Sequence, residues 1–179
     1  MRIVLVGAGS VVFARDLLGD VFSYPELRGA ALVLHDIDPH RLAVAERMAR
    51  RLAESVAGDP VIEATLDRAR ALDGADHVIT TIEVGGARAT HLDFEIPGRY
   101  GLRYTINDTI GIGGIMRGLR TVPVLIDVAA DIAEIAPDAV LLNYANPMAI
   151  NMWGLDQLGA HPGYGLCPVS YTHLRAHAT

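Results

Sequence analysis

Arg2–Ser10 reads RIVLVGAGS, and the fold turns on how this stretch is interpreted. Ile3–Val6 is a short, unbroken apolar run, rich in β-branched residues and closed by glycines. That is the pattern of a strand buried on both faces and running into a tight turn. The run is too short to cross a membrane, and it lacks the cleavage pattern of a signal peptide. A helix is expected from about Ser10 to Tyr24, stopped by Pro25. Strand, glycine turn and helix together make the opening half of a βαβ unit.

The rest of the chain repeats that alternation. ALVLHD over Ala31–Asp36 predicts a second buried strand. Asp38 is placed to cap a helix with Pro39 in its first position. Leu42, Ala45, Met48, Ala49, Leu52 and Val56 recur at helical spacing, so one face of that helix should pack on a sheet. PVIEAT over 60–65 alternates like an edge strand, and ADHVITTI over Ala75–Ile82 predicts a central one. Gly85–Gly86 precede a helical stretch, and NDTIGIGGI reads as a glycine-rich loop. A long helix is expected near Arg117–Ala136, with Pro123 inside or near its first turns. AVLLNY over Ala139–Tyr144 is a fifth strand, NPMAINMWGLDQLG a helix, and GYGLC the start of a sixth strand. This order predicts an α/β fold: right-handed units on a doubly wound parallel sheet, a Rossmann-like domain.

The totals agree. The 179 residues are 51% hydrophobic, enough for one domain with a full core. Fifteen basic residues against 21 acidic ones give a net charge of −6. No Lys/Arg cluster stands out, so neither nucleic acid nor a membrane surface is an expected partner. The single cysteine, Cys167, excludes an internal disulfide and fits a reducing, cytoplasmic setting. Composition breaks after Cys167: PVSYTHLRAHAT has no acidic residue and no clear apolar period. We therefore expect a domain over residues 1–167 and a non-native tail over 168–179.

GAGS carries the first chemical signal. Gly7 permits a tight turn, and Gly9 lets the backbone approach a pyrophosphate at a helix N-terminus. Val12 stands where a third glycine is usual. Asp36 ends the second strand, where a carboxylate binds ribose hydroxyls and repels a 2′-phosphate; NAD is thus favoured over NADP. The plainer alternative is that the glycines only make a close turn and Asp36 caps the loop.

Three later stretches go further: VGGARATHLDFEIPGRYGL, TINDTIGIGGIMRGLRTVPVL and LLNYANPMAINMWGL. With GAGSVVFARDLL and LHDIDPHRL they closely resemble the family-4 glycoside hydrolases, and among these the α-galactosidase branch. The resemblance runs from Met1 to Cys167. It implies bound NAD and a divalent metal, usually Mn²⁺, and a route unlike that of ordinary two-carboxylate glycosidases. In that route NAD takes a hydride from C3 of the sugar, a base removes the C2 proton, the aglycone leaves, water adds and the hydride returns. The metal holds the C2 and C3 oxygens. Carried over residue by residue, the resemblance puts Gly7, Gly9 and Ser10 at the pyrophosphate and Asp36 at the ribose. It sets Asn146 between sugar hydroxyls and nicotinamide, Asp108 in the sugar pocket and Cys167 on the metal. It also implies that the base, a second metal ligand and the whole substrate domain lie beyond the chain end. The cysteine is typically followed by His in that branch, and here Pro168 replaces it. The expectation is therefore a small-molecule glycoside substrate, a homo-oligomer at full length, and an inactive fragment as it stands. Two alternatives remain at this point: a lactate/malate-type NAD-dependent dehydrogenase, and a nucleotide-binding fragment with no activity of its own.

Other residues have plainer readings. Asn143 and Asn146 suit a strand-end turn, and a lone cysteine is more often a buried hydrophobe than a ligand. His35, His77 and His91 have no ligand spacing with Cys167 and are read as structural or exposed. His173 and His177 have metal-pair spacing but fall in the tail. Arg117 and Arg120 should open a helix near a pocket mouth or be solvated, while Met152 and Trp153 should pack on the sheet. No Ser–His–Asp arrangement is visible.

Overall fold

The computed structural model describes residues 1–55, 60–106 and 108–167. Its elements are β1 (Arg2–Val6), α1 (Val11–Ser23), β2 (Ala31–His35), α2 (Pro39–Glu54), β3 (Val61–Thr65), α3 (Arg68–Leu72), β4 (His77–Thr80), α4 (Gly86–Arg99), α5 (Gly111–Ile135), β5 (Val140–Asn143), α6 (Met148–Leu158) and β6 (Gly163–Gly165). The strands form one parallel sheet in the order β3-β2-β1-β4-β5-β6. The winding direction changes between β1 and β4. In open α/β sheets, ligands bind outside the carboxyl ends of the strands at such a switch. Two compact units divide the chain: Met1–Ile82 with Asp131–Val140, and Glu83–Ala130 with Leu141–Thr179.

In the first unit, Val4, Leu32, Val33, Leu34 and Val78 are wholly buried. Strands covered on both faces have no reason to alternate, which is why these read as continuous apolar runs. β1 pairs in register with β2 from Arg2↔Ala31 to Val6↔His35. β3 is at the sheet edge, with Val61 exposed and Ile62 buried, as its alternation predicts. α2 starts where Asp38 caps it: Oδ1 accepts the amides of His40 at 2.9 Å and Arg41 at 3.1 Å. Leu42, Ala45 and Ala49 on its expected face are buried, and Met48 and Leu52 are half-buried. Burial of such a face stabilises by about 25 cal/mol per Å² of apolar area. Two short elements have no clear sequence signal: a 3₁₀ turn over Pro25–Leu27, and α3, which Asp67 caps through the Arg70 amide.

The second unit corrects several expectations. The glycine-rich stretch is not all loop, because α5 already begins at Gly111. Two glycines further on, Gly118 in α5 and Gly154 in α6, serve close packing. A Cβ on Gly118 would lie 2.7 Å from Ile150 Cγ2, and one on Gly154 would lie 2.6 Å from Val122 Cγ1. The missing side chains thus let α5 and α6 approach. Pro123 sits in the interior of α5. Trp153 is 70% exposed and does not pack on the sheet, since α6 turns it outward. Met152 does pack: with Met148 it lies within van der Waals reach of β6 at Gly165. Val56, Asn107, His173, His177 and the whole of 168–179 lie outside the described residues.

Candidate functional site

The loop after β1 is built almost wholly from backbone. Gly7 takes φ +92°, and a Cβ there would meet the Thr81 carbonyl carbon and the Ile82 nitrogen at 2.9 Å. The amides of Gly7 and Ala8 both donate to the His35 carbonyl, at 2.9 and 3.0 Å, and Ser10 N donates to Gly7 O at 3.1 Å. From β4's end, Thr81 Oγ1 donates to Gly7 O at 2.9 Å. Gly9 N donates to Asp36 Oδ2 at 2.8 Å, and Asp36 Oδ1 accepts the Asp38 amide at 2.9 Å. Asp36 is buried and ties the loop after β1 to the loop after β2. Gly9 is needed for this tie, because a Cβ there would stand 2.6 Å from Asp36 Oδ2 and 2.7 Å from Arg41 Cβ.

A cavity of about 390 Å³ opens beside this loop. Gly9 and Ser10 line it from the loop, Val12 and Phe13 from the first turn of α1, and His40, Arg41 and Val44 from α2. Val12 is 63% exposed, so the position of the usual third glycine is not crowded here. The Ser10 hydroxyl makes no capping bond to α1. A glycine turn, a buried carboxylate at the end of β2, a free hydroxyl and a roomy, partly apolar cavity fit the adenosine-diphosphate half of a dinucleotide. His35 is structural, as expected. Burial lowers its pKa, and Nδ1 stands 3.1 Å from the Thr65 carbonyl oxygen, which can only accept. The neutral ring therefore carries its proton on Nδ1.

In the second unit the chemistry is in side chains. Asn146 Nδ2 donates to Asp108 Oδ2 at 2.9 Å, so two of the named residues stand together. That same Asp108 oxygen lies 3.7 Å from Arg117 Nη1. Arg117 is only 12% exposed, and it also lies 3.5 Å from Glu83 and 3.6 Å from Asp93 while donating to Thr90 Oγ1 at 2.6 Å. Arg120 holds both oxygens of Asp93, at 2.8 and 2.6 Å, and Asp93 is 1% exposed. That hydrogen bond raises the Arg120 pKa further. Arg117 and Arg120 are therefore neither solvated nor at the helix start; from inside α5 they face the buried Asp93, the half-buried Asp108 and the exposed Glu83.

Sequence reading missed Glu83, Thr90 and Asp93 altogether. Each pairs with an arginine far along the chain on a different element, and no local spacing announces such a pair. Asn143 follows its plainer reading: wholly buried, it accepts the Ala145 amide and donates to the Ala145 carbonyl. His91 is exposed and 3.7 Å from Glu95. Cys167 is a half-buried free thiol. Among the described residues no three His, Cys, Asp or Glu side chains converge to hold a metal ion. A lone thiolate does not complete a divalent-metal site.

The sheet order and the braced glycine loop after β1 define an α/β protein of the Rossmann type. The sequence model described as Family 4 glycosyl hydrolase matches residues 2–173, and the chain belongs to that family. An alpha-galactosidase of Bacillus subtilis (strain 168) is 50% identical over 149 residues, 83% of this chain and 34% of that protein. An alpha-galactosidase of Rhizobium meliloti (strain 1021) is 41% identical over 167 residues, 93% of this chain and 34% of that protein. A solved 6-phospho-alpha-glucosidase from gut microorganisms, in complex with NAD and Mn²⁺, superposes with a TM-score of 0.81 at 28% identity, covering 93% of this chain and 37% of that one. The chain spans about a third of the length of the curated relatives it matches. Family membership decides against a lactate/malate-type dehydrogenase. No helix among the described residues is long and apolar enough to cross a membrane.

Proposed function

We propose that this chain is the NAD-binding portion of a glycosidase that cleaves α-galactoside-type bonds by way of C3 oxidation and C2 deprotonation of the sugar. The observation that carries the reading is the cavity beside the braced glycine loop. A glycosidase that displaces its leaving group directly has no use for a dinucleotide site. The galactoside assignment rests on the identity to the two alpha-galactosidases.

NAD, when bound, supplies a hydride acceptor for the sugar and returns the hydride at the end. Gly9 and Asp36 hold the loop that receives it, and Ser10 offers a hydroxyl to the pyrophosphate. Asp36 keeps lone pairs for ribose hydroxyls and disfavours a 2′-phosphate. Asn146 orients sugar hydroxyls and is itself held by Asp108. Cys167 contributes one metal ligand, with the others and the base outside the described residues. Residues 1–167 are then the NAD-binding domain and 168–179 a non-native tail, in an enzyme that is cytoplasmic and self-associating when assembled.

The test is a panel of nitrophenyl glycosides assayed with NAD, Mn²⁺ and reductant. The 179-residue chain should be inactive, and a version extended to the relatives' length should turn over α-galactosides. Run in D₂O, that turnover should place deuterium at C2 of the released sugar. A sugar free of deuterium at C2 would contradict the deprotonation route.

A further inference from the structure

We infer that Arg41 meets the phosphate charge of the bound nucleotide; this rests on reading the cavity beside Gly9 as the NAD site. The glycine stretch itself has little left to offer an anion. The amides of Gly7, Ala8, Gly9 and Ser10 all donate within the protein, to the His35 carbonyl, the Asp36 carboxylate and the Gly7 carbonyl. Only the Ser10 hydroxyl and the first-turn amides of α1, which have no partners within their own helix, remain on that side. Both acids near the cavity are already engaged: Asp36 by the Gly9 and Asp38 amides, Asp38 by those of His40 and Arg41.

Arg41 is different. Its stem runs along the loop, close enough that a Cβ on Gly9 would lie 2.7 Å from Arg41 Cβ. Its backbone is fixed by the Asp38 cap. Arg41 lines the cavity, and its side chain forms no hydrogen bond or ion pair with another described residue, although its charge is close enough to help the Arg41 and His40 amides lower the Asp38 pKa. An arginine is permanently charged, and its fork of N–H donors matches phosphate oxygens two at a time. An arginine that lines the cavity without a hydrogen bond or ion pair of its own, beside a loop whose own amides are occupied, is therefore the residue placed to take that charge.

Calorimetric titration of the 179-residue chain with NAD, ADP and adenosine separates charge from base recognition. Arg41→Ala should weaken NAD and ADP by about tenfold or more, the size of a lost charge-assisted contact, and leave adenosine unchanged. Arg41→Lys should recover part of the loss. Circular dichroism melts of both variants should match wild type, since Arg41 is exposed. Unchanged affinity for NAD and ADP in Arg41→Ala would overturn the inference. So would an equal loss for adenosine, because Arg41 would then be stacking on the base. A wild-type chain that binds neither NAD nor ADP would instead remove the nucleotide reading, and this inference with it.

Discussion

The two compact units meet their polar demands by opposite means. In the unit holding β1 to β4, the candidate site is made of backbone. Carbonyls of His35 and Gly7 and one buried carboxylate, Asp36, take up the loop amides. In the unit holding α4, most of α5 and α6, the work falls to side chains that reach across helices: Arg117 among Glu83, Asp93 and Asp108, Arg120 on Asp93, and Asn146 on Asp108. A backbone-built site constrains few residue identities, chiefly the glycines and the one carboxylate. A side-chain network depends on its charges together, because removing one disturbs the balance around a buried group such as Asp93.

The largest expected effect follows from that contrast. Arg120→Ala leaves Asp93, 1% exposed, without its bidentate partner. Fully breaking a buried pair costs about 3–5 kcal/mol, and Arg117 Nε, 3.6 Å from Asp93, offsets part of that. Thermal unfolding should shift down by on the order of 10 °C for a chain of this size. Replacing both partners with apolar residues of similar volume should recover much of the loss. A single variant that melts like wild type would break the comparison, since the network would then be ornamental.

A smaller effect sharpens it from the other side. In the first unit His35 is buried and its pKa is lowered, chiefly by burial. The unfolded chain therefore takes up a proton more readily than the folded one. Stability should be at its full value above the unfolded pKa of about 6.5 and should fall as the pH drops through that value. The urea midpoint measured from pH 7.5 down to 5.5 should decline, and His35→Gln should flatten the decline. Carboxylates with lowered pKa, such as Glu63 beside Arg2, act in a more acidic window and do not obscure it.

How much of this was legible in the sequence follows the same division. β1, its glycine turn and α1 were readable because each signal is local: an unbroken apolar run, then glycines, then a stretch closed by Pro25. Asp36 was legible by position, but its two amide partners were not, since they depend on how two loops fold toward one carboxylate. The start of α5 was misread because Gly111 and the glycines just after it usually mark loops. Further along, Gly118 marks the close approach of a partner helix instead. Trp153 misled because its size suggests a core residue, and only the turn of α6 decides its exposure. The Arg117 cluster left no trace, because ion pairs between distant elements have no period to detect.

The most direct test is an affinity difference. With Asp36 just after β2 and Gly9 tied to it, this chain is proposed to accept NAD and disfavour NADP. Isothermal titration of the 179-residue chain should give saturable NAD binding, clearly tighter than NADP, and Asp36→Ala should weaken NAD and narrow the gap between the two. Equal affinity of the wild-type chain for NAD and NADP, or no saturable binding of either, would contradict it.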